Sequence, residues 1–152
     1  MAVHGEAIRR ECGEEGIAFI ETLGTMMTRY VNAKDEPFTV THGDYRLDNC
    51  MMSSNGDVVA VLDWEICTLG DPLADLGLLM VYWTGPGDDP SAWAGQSTTI
   101  EGFYNRADLA TRYAQVSGRD VSHIDFYVAF AFWKLACILE GVYARYLGGA
   151  LG

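Results

Sequence analysis

Lysine is almost missing from this sequence. It occurs only at Lys34 and Lys134, and all basic residues together number ten against twenty-one acidic ones, a net charge of −11. Such a chain is a poor partner for nucleic acid, whose binding rests on Lys and Arg neutralising phosphates. An anionic membrane surface is disfavoured for the same reason. Any phosphate handled here calls for a divalent cation between the ligand and the carboxylates. Cysteine is sparse as well: Cys12, Cys50, Cys67 and Cys137 form no C-x-x-C, and His4, His42 and His123 are equally scattered. That spacing argues against a structural zinc site and reads as reduced thiols of a cytoplasmic protein. Long apolar runs are also lacking. The longest uncharged stretch, Leu76 to Gly87, falls short of the ~18 residues of a membrane span. The first sixteen residues hold no apolar segment of the signal-peptide type. No G-x-G-x-x-G, internal repeat or low-complexity segment occurs.

What is present is an ordinary globular mixture, 49% apolar and 20% charged over 152 residues, the size of one domain. A chain of this length buries roughly 68–70% of its unfolded surface. Apolar positions at Phe19, Leu23, Met26, Met27, Tyr30 and Val31 follow a helical period and predict a helix over Glu6–Asn32. Phe38–Thr41 predicts a strand leading into a loop at His42–Asn49. Cys50–Met52 and Val58–Leu62 predict a hairpin around the Asn55-Gly56 turn signal. Gly70-Asp71-Pro72 marks a helix start, with Asp71 as cap and Pro72 first in the helix, running to about Tyr82. Gly85–Pro90 reads as a loop. Two further helices are predicted, from Ile100 to near Gly118 and from Val121 to Leu147. Phe126–Trp133 is apolar on all sides and is expected at the buried centre of a helical layer. Lys134, Glu140 and Arg145 argue against a membrane-spanning reading of the last helix. Phe126, Tyr127, Phe130, Phe132 and Trp133 read as core before they read as a substrate pocket.

The chemistry concentrates in His42-Gly43-Asp44-Tyr45-Arg46-Leu47-Asp48-Asn49 and in Asp63-Trp64-Glu65, where Asp63 falls fourteen residues after Asn49. Phosphoryl transfer of the kinase type uses one Asp to orient the attacking hydroxyl and accept its proton. An Asn and a second Asp hold magnesium against the nucleotide phosphates. Hard oxygen ligands in that number suit Mg²⁺, which takes only one or two protein carboxylates. A hairpin between the two segments brings them together. Taken alone, Asp44 reads as a turn former, and Asp48 as solvated.

The pattern His42-Gly43-Asp44-x₄-Asn49 with Asp63-Trp64-Glu65 resembles the aminoglycoside phosphotransferase-like superfamily, relatives of the protein kinases. The longer string Val61-Leu62-Asp63-Trp64-Glu65-x₄-Leu69-Gly70-Asp71-Pro72-Leu73-Ala74-Asp75-Leu76 is similar to the branch associated with acyl-CoA dehydrogenases. The resemblance implies an α+β, mostly α fold, a kinase-like C-terminal lobe whose small β-hairpin region carries the catalytic and metal loops on a helical layer. It implies transfer of the γ-phosphoryl group of ATP or GTP to a substrate hydroxyl with Mg²⁺, on hydroxyacyl compounds. Asp44 takes the place of the base, Asn49 and Asp63 those of the metal ligands. Arg46 stands where protein kinases place a Lys near the transferred group; otherwise it is a solvated loop arginine. Asp75 is expected to bind the loop backbone and His42 to position the loop. The nucleotide-binding residues stay unassigned, because the Gly-rich loop and strand Lys of an N-terminal lobe have no counterpart here. Residues 1–152 are therefore expected to form one domain, a C-terminal lobe without its N-terminal partner, inactive alone and exposing an apolar floor through which it forms a homodimer. The alternative reading is a catalytically silent binding or assembly module that keeps the fold.

Overall fold

The computed structural model describes residues 38–85, 88 and 97–149, with isolated positions 13, 18, 21, 22 and 25. Those five positions are helical, and the rest of the helix expected over Glu6–Asn32, with Met26 and Met27, lies outside the described residues. The chain divides into two compact units, residues 37–132 and residues 1–36 with 133–152.

The first unit opens with β1 (Thr39–Thr41), a 3-10 turn (Leu47–Asn49), β2 (Cys50–Met52), β3 (Val58–Val61) and β4 (Thr68–Gly70). Helices α1 (Leu73–Tyr82) and α2 (Arg106–Ser117) follow, and α3 (Ile124–Leu147) continues into the second unit. The fold is α+β and mostly helical. β2 and β3 pair antiparallel as the expected hairpin, with Cys50 opposite Val61 and an irregularity between Met51 and Met52. Its turn closes on Ser53, whose carbonyl accepts from the Gly56 N–H and whose hydroxyl oxygen accepts from the Asn55 and Asp57 N–H groups. Gly56 has φ 85°, the left-handed region that glycine enters without steric cost.

β4 was not foreseen. It pairs antiparallel with β1, and the Thr41 hydroxyl donates to the Thr68 carbonyl at 3.1 Å. Three residues ending in glycine carry no periodic signal, so only the pairing reveals this strand.

α1 is the centre of the core. Leu73, Leu76, Leu78, Leu79, Met80 and Val81 are all buried, as befits a helix apolar on every side. Each such side chain contributes about 1.5–3 kcal/mol relative to exposure. Its start lies one residue later than expected, but Asp71 still caps it, accepting from the Leu73 N–H at 2.9 Å. The other Asp71 oxygen accepts from the Tyr127 hydroxyl at 2.5 Å, joining the start of α1 to α3. Gly77 makes that crossing possible, because a Cβ there would lie 2.6 Å from the Tyr127 carbonyl carbon and oxygen.

α2 starts at Arg106 instead of Ile100. Gly102, at φ 105°, interrupts the backbone, and Asn105 caps the helix by accepting from the Asp108 N–H. α3 starts at Ile124 instead of Val121. The expected all-round burial of Phe126–Trp133 does not hold: Tyr127 and Ala131 are buried, but Phe132 is 50% exposed. α1 meets α3 at Tyr127, and Ala129 and Phe132 are left exposed, as scattered apolar surface residues commonly are. By length and composition α3 is the one described helix apolar enough to cross a membrane, and Lys134, Glu140 and Arg145 interrupt it.

Candidate active site

β1 delivers the chain into His42, which is 2% exposed. Its Nε2 donates to the Leu62 carbonyl at 2.7 Å, and its Nδ1 accepts from the Asp44 N–H at 3.2 Å. A carbonyl can only accept and an amide N–H can only donate, so these two bonds fix a neutral ring protonated on Nε2. The ring also packs on Trp64, centroids 4.7 Å apart, while the Trp64 indole donates to the Val61 carbonyl. One imidazole thus ties the start of the loop to the end of β3.

Gly43 follows with φ 85°, and a Cβ there would lie 3.0 Å from the Ile66 carbonyl oxygen. From α1, the two oxygens of Asp75 accept from the His42 and Gly43 N–H groups at 2.6 and 2.8 Å. Neighbouring N–H groups gripped by one carboxylate make a charge-assisted anchor, so the buried helix holds the loop by its backbone.

Asp44 and Asn49 meet directly. The Asn49 amide donates to the Asp44 carbonyl at 2.8 Å and to Asp44 Oδ2 at 3.1 Å. Both partners accept, which settles the orientation of the amide and leaves its Oδ1 facing elsewhere. Arg46 Nε stands 3.5 Å from Asp44 Oδ2, and the guanidinium lies over the Tyr82 ring at 5.1 Å, within cation–π range. Burial raises the Tyr82 phenol above its ordinary value against the opposing pull of Arg46. Burial likewise raises Tyr45, with Cys50 beside it adding to the effect. Asp48 is exposed.

Asp63 comes one residue after Leu62, whose N–H donates to the Asn49 carbonyl at 2.8 Å. Asn49 and Asp63 therefore flank the open end of the hairpin, Asn49 just before β2 and Asp63 just after β3. Asp63 has φ 64°, the only non-glycine residue in the left-handed region among the described residues. Its exposed carboxylate has no hydrogen-bond partner among them. No group of three or more His, Cys, Asp or Glu suited to a metal occurs among the described residues. The Asn49 amide oxygen and the Asp63 carboxylate, neither hydrogen-bonded among the described residues, are nonetheless oxygen donors of the kind Mg²⁺ takes while keeping most of its own waters. Sequence reasoning missed Trp64 and Tyr82. Tyr82 had a readable signal, since it lies seven residues after Asp75 and so on the same face of α1.

Residues 4–111 match the Phosphotransferase enzyme family. The chain belongs to that family. It is 35% identical over 141 residues to acyl-CoA dehydrogenase family member 11 of Rattus norvegicus, covering 89% of this chain and 18% of that protein. With acyl-CoA dehydrogenase family member 10 of Mus musculus it shares 37% identity over 115 residues, 73% of this chain and 11% of the relative. A putative aminoglycoside phosphotransferase from Ralstonia eutropha JMP134, known from a crystal structure, superposes with a TM-score of 0.66 at 28% identity. The superposition covers 97% of this chain and 46% of that one. This member of the phosphotransferase family therefore has a kinase-like phosphotransferase fold and homology to the acyl-CoA dehydrogenase family members. It spans less than a fifth of those two relatives.

Proposed function

We propose that this chain supplies the catalytic loop and metal ligands of a small-molecule kinase, as a C-terminal lobe, and that the kinase transfers the γ-phosphoryl group of ATP or GTP to a hydroxyl. The observation that carries the reading is the convergence of Asp44, Asn49 and Arg46 on a loop whose backbone Asp75 grips. Asp44 orients the acceptor hydroxyl and takes its proton as the oxygen attacks. Asn49, through Oδ1, and Asp63 would hold Mg²⁺. The cation, when bound, supplies the positive charge that offsets the phosphate oxygens. Arg46 stands beside Asp44 with its guanidinium over Tyr82, and its positive charge there would stabilise the charge developing on the transferred group. Similarity to acyl-CoA dehydrogenase family members supports a hydroxyacyl acceptor.

The 152 residues contain no G-x-G-x-x-G and only two lysines, so by themselves they should bind ATP–Mg²⁺ weakly and transfer negligibly. Joined to an N-terminal lobe with a Gly-rich loop and strand Lys, they should phosphorylate hydroxyacyl acceptors. Asp44→Asn should then lower kcat by about 10²–10⁴-fold with unchanged thermal unfolding. The readout is transfer of radiolabel from γ-labelled ATP. An active enzyme indifferent to Asp44→Asn removes Asp44 as the base, and strong Asp44-dependent transfer by the 152 residues alone overturns the dependence on a second lobe.

A further inference from the structure

α1 and α2 each turn one face towards a common trough of about 440 Å³ that none of Asp44, Asn49 and Asp63 lines. Its volume lies in the range of small-molecule sites. Leu76 and Leu79 of α1 form the floor and are buried, whereas Val116 of α2 is 70% exposed at the rim. Leu109, Arg112 and Val116 follow one another at helical spacing along the same side of α2. The walls are thus mainly apolar, aliphatic side chains with Tyr45 and Tyr113 beside them, and carry one cation, Arg112. Arg112 is exposed and makes no hydrogen bond or ion pair among the described residues.

Charge complementarity decides what suits this space. Asp75 also lines it, but both its oxygens already accept from the His42 and Gly43 N–H groups, so it needs no cation from a ligand. A cationic head would meet Arg112, and a neutral one would leave its guanidinium unused. A carboxylate matches the guanidinium fork, and an aliphatic tail gains by leaving water against the leucines.

We propose that the trough between α1 and α2 binds a medium-chain carboxylate and that its occupation steadies the loop bearing Asp44. The mechanical link is short. Tyr45 lines the trough and sits between Asp44 and Arg46 in sequence, and Asp75 lines it while gripping the loop backbone. Filling the space packs Tyr45 and the first turn of α1, so the loop opens less often. The site lies apart from the phosphotransfer residues, and its binding is measurable whether or not the chain transfers phosphate.

The test titrates the 152-residue chain with octanoate, followed by calorimetry and amide NMR. Saturable binding is expected, with shifts at Tyr45, Leu76, Leu109 and Arg112, and with none from acetate. Arg112→Gln should weaken octanoate by about tenfold or more, because it removes a charge-assisted contact, while 1-octanol changes by less than about twofold. Val116→Trp, at an exposed position, should fill the trough and abolish both. Hydrogen exchange at the His42 and Gly43 amides should slow at saturation. Equal response to acetate and octanoate, shifts elsewhere, or an Arg112→Gln variant that binds octanoate normally overturns the site. Tight binding with unchanged exchange at His42 and Gly43 overturns the coupling to the loop.

Discussion

Asp63 pairs an unfavourable backbone with an unsatisfied side chain. Its φ of 64° costs a non-glycine residue on the order of 1 kcal/mol, and its exposed carboxylate recovers nothing from the described residues. Strain kept at such a position points to a ligand that uses the carboxylate. Asp63→Gly should therefore leave the fold as stable as before, or up to about 1 kcal/mol more stable, with glycine's extra freedom in the unfolded chain offsetting part of the gain. Urea unfolding reads the stability, and Mn²⁺ titration should show weakened binding in the same variant. Retained Mn²⁺ affinity would take Asp63 out of the site. At this scale the sequence was informative where spacing is local: Asp44, Arg46 and Asn49 lie within one loop and do meet. Helical spacing puts Tyr82 on the face of Asp75, but its meeting with Arg46, like that of Trp64 with His42, depends on how strand and helix are laid beside the loop.

Helices were legible because their apolar periods are long, and their ends moved where capping overruled the period. Asn105 and Gly102 set the start of α2, although Ile100 and Phe103 continue its pattern towards the N-terminus. β4 was illegible for the opposite reason, being a short segment that ends in glycine and is defined by its pairing with β1. The crossing of α1 over α3 was equally hidden, since Gly77 reads as a weak point in a helix until Tyr127 is seen against it. Alanine at position 77 should help an isolated helix by about 1 kcal/mol. Here its Cβ would meet backbone atoms of Tyr127 at 2.6 Å, so the helices must part and the Asp71–Tyr127 bond stretch with them. Gly77→Ala should thus destabilise the protein by about 1–3 kcal/mol, measured by thermal unfolding. Tyr127→Phe, which only strips a donor from the buried Asp71, should cost about 1–3 kcal/mol. A stabilised Gly77→Ala variant would show that α1 and α3 do not meet at this distance.

On the scale of the whole molecule, an acidic chain carries a broad apolar surface around its strands. Val40, Met51, Met52, Val58, Val59, Leu62, Trp64, Ile66 and Leu69 are all between 47% and 73% exposed. They surround a two-stranded hairpin and a two-stranded pair, each of which, among the described residues, leaves strand edges open to pairing with another chain. Patches beyond a few hundred Å² on a soluble protein mark interaction sites, and the homodimer expected from the sequence would cover part of this exposed apolar surface. Its energetics set two terms against each other. Apolar burial favours association at any salt, whereas a net charge of −11 on each copy opposes it over a Debye length of about 10 Å at 0.1 M salt and about 30 Å at 0.01 M. Association should therefore strengthen as salt rises, the reverse of a contact built on ion pairs. Sedimentation velocity at low and high salt reads this directly, with a shift from monomer towards dimer expected at the higher ionic strength. Val59→Lys, at a position 62% exposed, places a charge among these exposed apolar residues without disturbing the core, and should hold the chain monomeric at both salts. A monomer at high concentration and high salt would mean that the apolar side does not drive self-association. A dimer that dissociates as salt rises would mean that ion pairs, not this surface, hold the copies together.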